Sequence, residues 1–94
     1  MVTVHAEPRG DGWLCAVTVD HSGAQTEHSV KVSRRDLERW GRSGDRVDVE
    51  SLVARSFEFL LEREPPNAIL RTFDLSVIQR YFPEYDSIFS RGAT

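Results

Sequence analysis

The sequence contains a single cysteine, Cys15, among its 94 residues. One cysteine excludes a disulfide within the chain and a zinc site built from several thiolates. No apolar run approaches the about 18 residues that a membrane-spanning helix requires, and the start MVTVHAEPRGDG lacks the basic and apolar blocks of a secretory signal. These absences predict a cytoplasmic protein that does not cross a membrane.

Motifs that bind nucleotides or hold catalytic nucleophiles are also missing. The sequence has no G-x-x-x-x-G-K, no G-x-G-x-x-G and no G-x-S-x-G. Its three histidines, His5, His21 and His28, show no H-x-x-x-H spacing, and the lone cysteine forms no C-x-x-C pair. We therefore expect no metal site and no cofactor. His28 is expected to lie at a sheet edge, with a hydrogen bond to its ring.

The remaining reactive side chains have simpler interpretations. Cys15 lies in the middle of a predicted strand on the face of Val17 and Val19, which indicates a buried small hydrophobe rather than a nucleophile. Two carboxylates act as acid and base only where their environment separates their pKa values. The C-terminal acids fall on a solvated helix face that offers no such environment: Glu58, Glu62, Glu64 and Asp74. The sequence therefore predicts a protein that is not an enzyme.

What the chain does contain is the composition of one small folded domain. Hydrophobic residues make up 39% of the sequence and charged residues 29%, which is typical of globular rather than disordered proteins. A chain of this length buries only about 60–65% of the surface that its unfolded form exposes, so its large apolar side chains are needed in the core. We predict a single domain over residues 1–94.

The first third of the chain alternates apolar and polar residues with a period of two, which is typical of strands. Strands are predicted at about 2–7, 13–20 and 26–32, with turns at PRGDG and HSGA. The expected core-facing rows are Val2, Val4 and Ala6; Trp13, Cys15, Val17 and Val19; and Thr26, His28, Val30 and Val32. Short connections favour antiparallel neighbours, so we expect a three-stranded antiparallel β-meander.

From Ser33 onwards the apolar residues follow the period of helices. Helices are predicted at about 34–40, 49–63, 66–71 and 75–82. Ser33 and Asp36 have the spacing of a capping box, and Asp48 and Asp74 are predicted to cap the second and the last helix. The predicted fold class is α+β, a three-stranded antiparallel meander followed by three to four helices that pack on one face of the sheet.

Aromatic residues provide the candidate interaction surface. The apolar stripe of the helix at 49–63 has a gap at Ser56, and Phe59 lies off the stripe, so Phe59 either packs under another element or is exposed. Tyr85 and Phe89 continue the apolar spacing into the C-terminal tail. Together with a sheet edge that invites strand addition, these residues favour a protein–protein interaction module or a homo-oligomer.

The basic segment 31–46 supports an alternative function. It carries six cations and three acids, a local net charge of +3, whereas the whole chain has a net charge of −3. Cations beside an aromatic ring such as Trp40 can bind phosphate and a stacked base. The candidate anion or nucleic-acid patch comprises Arg34, Arg35, Arg39 and Arg42. The other interpretation is that these cations balance the acidic remainder of the same protein.

The C-terminal half resembles known proteins. The segment SFEFLLEREP at 56–65, followed by FDL at 73–75 and YFPEY at 81–85, resembles small bacterial proteins of unassigned function. The resemblance implies a bacterial, stand-alone cytoplasmic protein, and it brings no activity, ligand or catalytic residue. The order of three strands and then a helix is also similar to antitoxin-type HicB-like domains, which implies a regulator that associates with nucleic acid.

Overall fold

The computed structural model describes residues 1–90, which form one α+β domain with four strands and four α-helices. The strands are β1 (Val2–Arg9), β2 (Gly12–His21), β3 (Ala24–Val32) and β4 (Thr72–Asp74). The helices are α1 (Arg34–Trp40), α2 (Arg46–Leu61), α3 (Val77–Tyr81) and α4 (Glu84–Phe89), with a 3₁₀ turn at Pro66–Ala68. The predicted fold class is therefore confirmed at the level of α+β, with a larger and mixed sheet.

The first three strands form the predicted antiparallel meander. Gly10, with a φ of 63°, turns the chain between β1 and β2, and Ser22 and Gly23, with φ of 54° and 79°, turn it between β2 and β3. These left-handed conformations match the twist of two-residue hairpins. Ala6 and Cys15 are paired neighbours and are fully buried, so the strands present their core-facing rows as predicted.

A fourth strand that the sequence analysis did not predict completes the sheet. β4 pairs in parallel with β3, and the strand order is β1-β2-β3-β4. Phe73 is paired with Val30 and its ring is buried. Asp74 is the last residue of the same strand. The prediction that Asp74 caps the last helix is therefore wrong. Three residues are too few to show a period of two, and only pairing with β3 makes them a strand.

α1 forms as predicted, and its capping box is complete. Ser33 Oγ accepts the N–H of Asp36 and the Asp36 carboxylate accepts the N–H of Ser33, both at 3.0 Å. α2 begins earlier than predicted because Asp45, not Asp48, is its N-cap, with Oδ1 accepting the N–H of Asp48 at 2.8 Å. The Asp48 carboxylate instead accepts the N–H of Gly44 at 2.9 Å and so holds the loop before the helix.

The C-terminal helices differ from the prediction in length. The helix expected at 66–71 is a 3₁₀ turn over Pro66–Ala68, because the chain is extended again at Ile69, with φ −77° and ψ 134°. The helix expected at 75–82 is the five-residue α3. After Pro83 the tail forms α4, which the sequence analysis treated only as continued apolar spacing.

The helices pack on one face of the sheet, as predicted. α2 contacts β1 and β2, and α3 contacts β4 and α4. The opposite face of the sheet is open, with His5, Ala16 and Lys31 exposed on three neighbouring strands. The protein therefore has one apolar layer between the sheet and the helices, in which the Val, Leu and Phe side chains of both are buried.

A buried pair of hydroxyl groups ties α4 to α2. Ser56 Oγ donates to the carbonyl of Leu52 at 2.7 Å and lies 2.7 Å from the hydroxyl of Tyr85. Since Ser56 has one proton and gives it to Leu52, Tyr85 donates to Ser56. Both side chains are fully buried, and burial raises the pKa of Tyr85. Ser56, which interrupts the apolar stripe, thus provides the hydrogen-bond acceptor that allows the Tyr85 hydroxyl to be buried in the core.

The coupling between these hydroxyls is open to measurement. We expect Ser56→Ala to destabilise the fold by about 1–3 kcal/mol, because it leaves the buried Tyr85 hydroxyl without an acceptor. Tyr85→Phe should cost about 1 kcal/mol. The loss of unfolding free energy in the double variant should be smaller than the sum of the two single losses by about 0.5–1.5 kcal/mol, as measured by urea denaturation of all four proteins. Strictly additive effects would show that the two hydroxyls do not interact.

Candidate functional site

The aromatic residues proposed as an interaction surface form an internal cluster instead. Phe59 is 5% exposed and Tyr85 is fully buried, while Phe89 is half-buried. Tyr85 and Phe89 stack with ring centroids 4.3 Å apart, and Phe59 meets Tyr85 edge-on at 5.5 Å. Of the two alternatives for Phe59, it packs under another element. In this conformation neither Phe59 nor Tyr85 offers its ring to a partner.

Arg63 closes this cluster from the outside. Its guanidinium lies 3.6 Å above the centroid of the Phe59 ring and donates to the Phe59 carbonyl at 2.9 Å. It also reaches Glu84 at 3.4 Å, which joins the end of α2 to the start of α4. A cation over an aromatic face is attracted by the ring quadrupole. The Phe59 ring is therefore covered by a cation, whereas Ile88 of α4 remains exposed beside it.

Exposed apolar area is found beside the C-terminal end of α2, at a groove that we call the α3 groove. It has a volume of about 350 Å³, and its floor includes four side chains: Leu60, Ile69, Phe73 and Ile78. Its rim includes Leu70, which is 50% exposed, and Tyr81, which is 69% exposed. Apolar side chains exposed together at an apolar concavity are a common feature of binding sites.

The proline pair at the end of α2 creates the α3 groove. Pro65 and Pro66 cannot continue the helix, so the chain leaves α2 through the 3₁₀ turn and crosses to β4. α3 has only five residues and does not extend far enough to fill the space beside α2. This site was not apparent from the sequence, because the helix predicted at 66–71 includes Leu70. Two adjacent apolar residues after a proline pair, Ile69 and Leu70, were the available signal.

Among the residues that line the α3 groove, Glu64 is the one acid. It is half-buried. Within residues 1–90 its carboxylate makes neither a hydrogen bond nor an ion pair. A carboxylate without a partner beside apolar side chains is a favourable neighbour for a cation that arrives with a ligand. The groove thus combines an apolar floor with one negative charge.

The predicted anion patch is partly engaged with the protein's own acids. Arg39 Nε donates to Asp86 Oδ1 at 2.8 Å, and Trp40 Nε1 donates to the same oxygen at 2.9 Å. Arg34 lies 3.6 Å from Glu38. Trp40 is buried, so it has no free face on which a base can stack. These contacts favour the interpretation that the cations balance acidic residues of the same chain.

Part of the basic segment still meets an aromatic ring at the surface. Arg34 and Arg42 line a shallow depression together with half-buried Trp13. Asp11 and Glu38 line the same depression, so it carries both signs of charge. Arg35 is exposed nearby on α1. The structure therefore brings the predicted cations near a different tryptophan from the one that the sequence suggested.

The histidine and cysteine side chains have structural partners or are far apart. His28 Nδ1 donates to the carbonyl of Leu70 at 2.7 Å, so Nε2 of the neutral ring accepts from Thr26 at 2.9 Å. β4 pairs only with residues 29–31 of β3, so His28 lies just outside this pairing, and its ring is hydrogen-bonded as predicted. Burial raises the pKa of the Cys15 thiol to about 12, which suppresses the reactive thiolate at neutral pH. No metal-binding group of three or more His, Cys, Asp or Glu side chains occurs in the part of the chain that the structure describes.

Asp36 is the buried acid that most resembles a catalytic group. It lines a second cavity of about 370 Å³, and burial raises the pKa of its carboxyl. Asp74 and Lys31 line the same cavity. The Asp36 carboxylate, however, already accepts the N–H of Ser33 in the capping box of α1. Its burial is explained by that structural role.

The exposed edge of the sheet is shorter than the sequence suggested. The N–H of Ala6 points away from β2 and donates to Glu50 of α2 at 2.9 Å. Pro8 lies two residues further along the same edge and has no N–H to donate. The C-terminal half of β1 is therefore closed to strand addition, and on this strand only residues 2–5 present an edge.

The pKa of Asp86 predicts a pH dependence of stability. Hydrogen bonds from Arg39 and Trp40 lower it, so the carboxylate stabilises the folded state above its unfolded pKa of about 3.9 and loses this effect as the pH falls through the lower folded pKa. We expect Asp86→Asn to be less stable than the wild type at neutral pH, and the difference to narrow below about pH 4.

Urea denaturation at several pH values would measure this difference. Glu27→Gln is the matched control, because Glu27 is exposed on the open face of the sheet. It should track the wild type across the range. A stability difference for Asp86→Asn that does not change with pH would contradict the assigned ion pair.

Comparison with known proteins does not identify this fold or site. No protein-family model, no curated protein and no solved structure matches the chain. The resemblance of the segments within 56–85 to small bacterial proteins stays a prediction. None of the helices within residues 1–90 has the length and apolar character to cross a membrane.

Proposed function

We propose that this protein is a non-enzymatic protein-interaction module that binds a segment of a partner in the α3 groove. The observation that carries the proposal is the exposure of Leu70 and Tyr81 beside a concave apolar floor. In a domain with so little interior, large apolar side chains left outside have a cost in water, which a bound partner removes.

The reactive side chains support a role without catalysis. The Cys15 thiol is buried with a raised pKa, both nitrogens of His28 are hydrogen-bonded, and Asp36 completes a helix cap. A catalytic group needs access to a substrate and a neighbour that tunes it. Each of these three groups has a structural partner that accounts for its position.

The shape of the exposed area favours a protein over a small enclosed ligand. Leu70 and Tyr81 lie at the rim of the groove. A small ligand that contacts only the floor would leave both side chains exposed to water. A polypeptide that lies along the groove covers floor and rim together. A second copy of this chain is one such occupant, and another protein is the other.

A rim variant tests the proposal. Leu70→Ser combined with Tyr81→Ser removes the exposed apolar area without touching the buried floor. Ile88→Ser is the matched control, because Ile88 is 58% exposed but does not line the groove. We expect the rim variant to lose partner binding or self-association by tenfold or more, about 1.4 kcal/mol, while the control retains it.

Two measurements complete this test. Light scattering reports self-association, and crosslinked co-purification from the native host reports a partner. A partner or dimer that the rim variant retains would contradict the assignment of the groove. A monomer without any partner would contradict the interaction function itself.

A second candidate is a regulator that binds nucleic acid through the basic segment. The observation that favours it is the shared depression of Arg34, Arg42 and Trp13, with Arg35 exposed nearby. Cations and an aromatic ring are the parts of single-strand binding sites. Asp11 and Glu38 in the same depression count against it, since both repel phosphate.

Fluorescence anisotropy with labelled oligonucleotides tests this second candidate. If it holds, binding should weaken steeply with salt, and Arg34→Ala, Arg35→Ala and Arg42→Ala together should reduce the slope of log affinity against log salt by about 3. Arg9→Ala is the control, since Arg9 lies outside this depression. Absence of binding at low salt would remove this candidate.

A further inference from the structure

We infer that the partner segment is a short amphipathic peptide that places two or three apolar side chains in the α3 groove and one Lys or Arg beside Glu64. This inference rests on the proposed function and names the kind of partner. It follows from two properties of the groove, its size and its charge.

The size of the α3 groove favours a short segment over a second folded copy. Ten residues line it. A stable dimer contact buries about 800 Å² and uses about 20–30 residues on each side. The lining amounts to between a third and a half of that set. A volume of about 350 Å³ instead lies near the lower end of the about 300–1,000 Å³ of ligand-binding pockets, which suits a few apolar side chains.

The charge of the groove selects the flanking residue. Glu64 is half-buried on the lining and has no ion-pair partner among the described residues. An acidic residue in the same position of a ligand would face it across apolar surroundings, where repulsion is poorly screened. A Lys or Arg there gains an ion pair. The groove therefore discriminates between segments of equal hydrophobicity by the sign of one charge.

Helix-in-groove recognition is the mode that these features fit. An amphipathic helix presents apolar side chains at i, i+3, i+4 and i+7 on one face and leaves its charges at the edge of that face. The floor residues Leu60 and Ile78 come from two helices, α2 and α3, with Phe73 of β4 between the elements. An apolar trough bounded by helices is the usual receptor of such a segment.

Defined peptides test this inference directly. The probe is a capped helical peptide of about four turns, with leucines at i, i+3, i+4 and i+7, alanines elsewhere and a lysine at each end, so that either orientation brings a cation to Glu64. The matched peptide has glutamate at both ends. A third peptide has the composition of the first with its leucines spread around the helix.

Two-dimensional amide NMR of the full chain locates and measures the binding. We expect the lysine peptide to shift the amide signals of Leu70, Phe73, Val77 and Tyr81, and to bind about fivefold tighter than the glutamate peptide. The spread peptide should bind at least tenfold more weakly. In Glu64→Gln the preference for lysine over glutamate should fall below about twofold, and in Ile88→Ser it should remain.

Three results would overturn the inference. They are no shift at about 1 mM peptide, equal affinity for the lysine and glutamate peptides, and shifts that lie away from the groove.

Sedimentation of the same samples separates this failure from that of the proposed function. A dimer that the rim variant abolishes, together with peptides that do not bind, would retain the groove as an interaction site and reject the peptide partner. If the peptides do not bind, the chain does not dimerise and no partner is found, both proposals fail.

Discussion

The insertion of Tyr85 between α1 and α2 is the contact on which the helical layer depends. Its hydroxyl is held by Ser56, and its ring meets the edge of Trp40 at 5.0 Å. The next residue, Asp86, accepts hydrogen bonds from Arg39 and Trp40. One turn of α4 thus joins three helices. In a chain that buries so small a share of its surface, a single aromatic side chain accounts for much of the interior.

This use of the C-terminal aromatics determines where binding can occur. Phe59 meets Tyr85 edge-on inside the protein and Arg63 covers the Phe59 ring, so neither ring is available to a partner. Next to this cluster the chain leaves α2 after Leu61, passes through Pro65 and Pro66, and returns as the short α3. The layer is closed where α4 packs on α2 and left open beside α3, and the open part is the α3 groove. Core packing and the binding site are therefore two results of the same chain path.

Local sequence patterns were sufficient to predict the elements that have a periodic pattern or a capping motif. The period of two in β1 to β3 places their core-facing rows, and Ser33 with Asp36 places the start of α1, since both depend on neighbours along the chain. The N-cap of α2 was misplaced by three residues because Asp45 and Asp48 are both good caps, and the loop before the helix decides between them. Of the candidate site, the sequence supplied the aromatic residues and the cations but not the groove, whose residues come from four separate elements.

The sequence by itself determined the fold class, the three-stranded meander and the first helix, because alternation and capping are read from adjacent residues. Only the tertiary structure decided that Thr72–Asp74 is a strand, that Ser56 receives Tyr85, and that Leu70 and Tyr81 remain outside. The physical reason is the same in each case. The three-residue strand, the buried hydroxyl and the position of Leu70 depend on partners at least 29 residues away, as for Val30 with Phe73, Ser56 with Tyr85 and His28 with Leu70. Such partners leave no periodic trace along the chain.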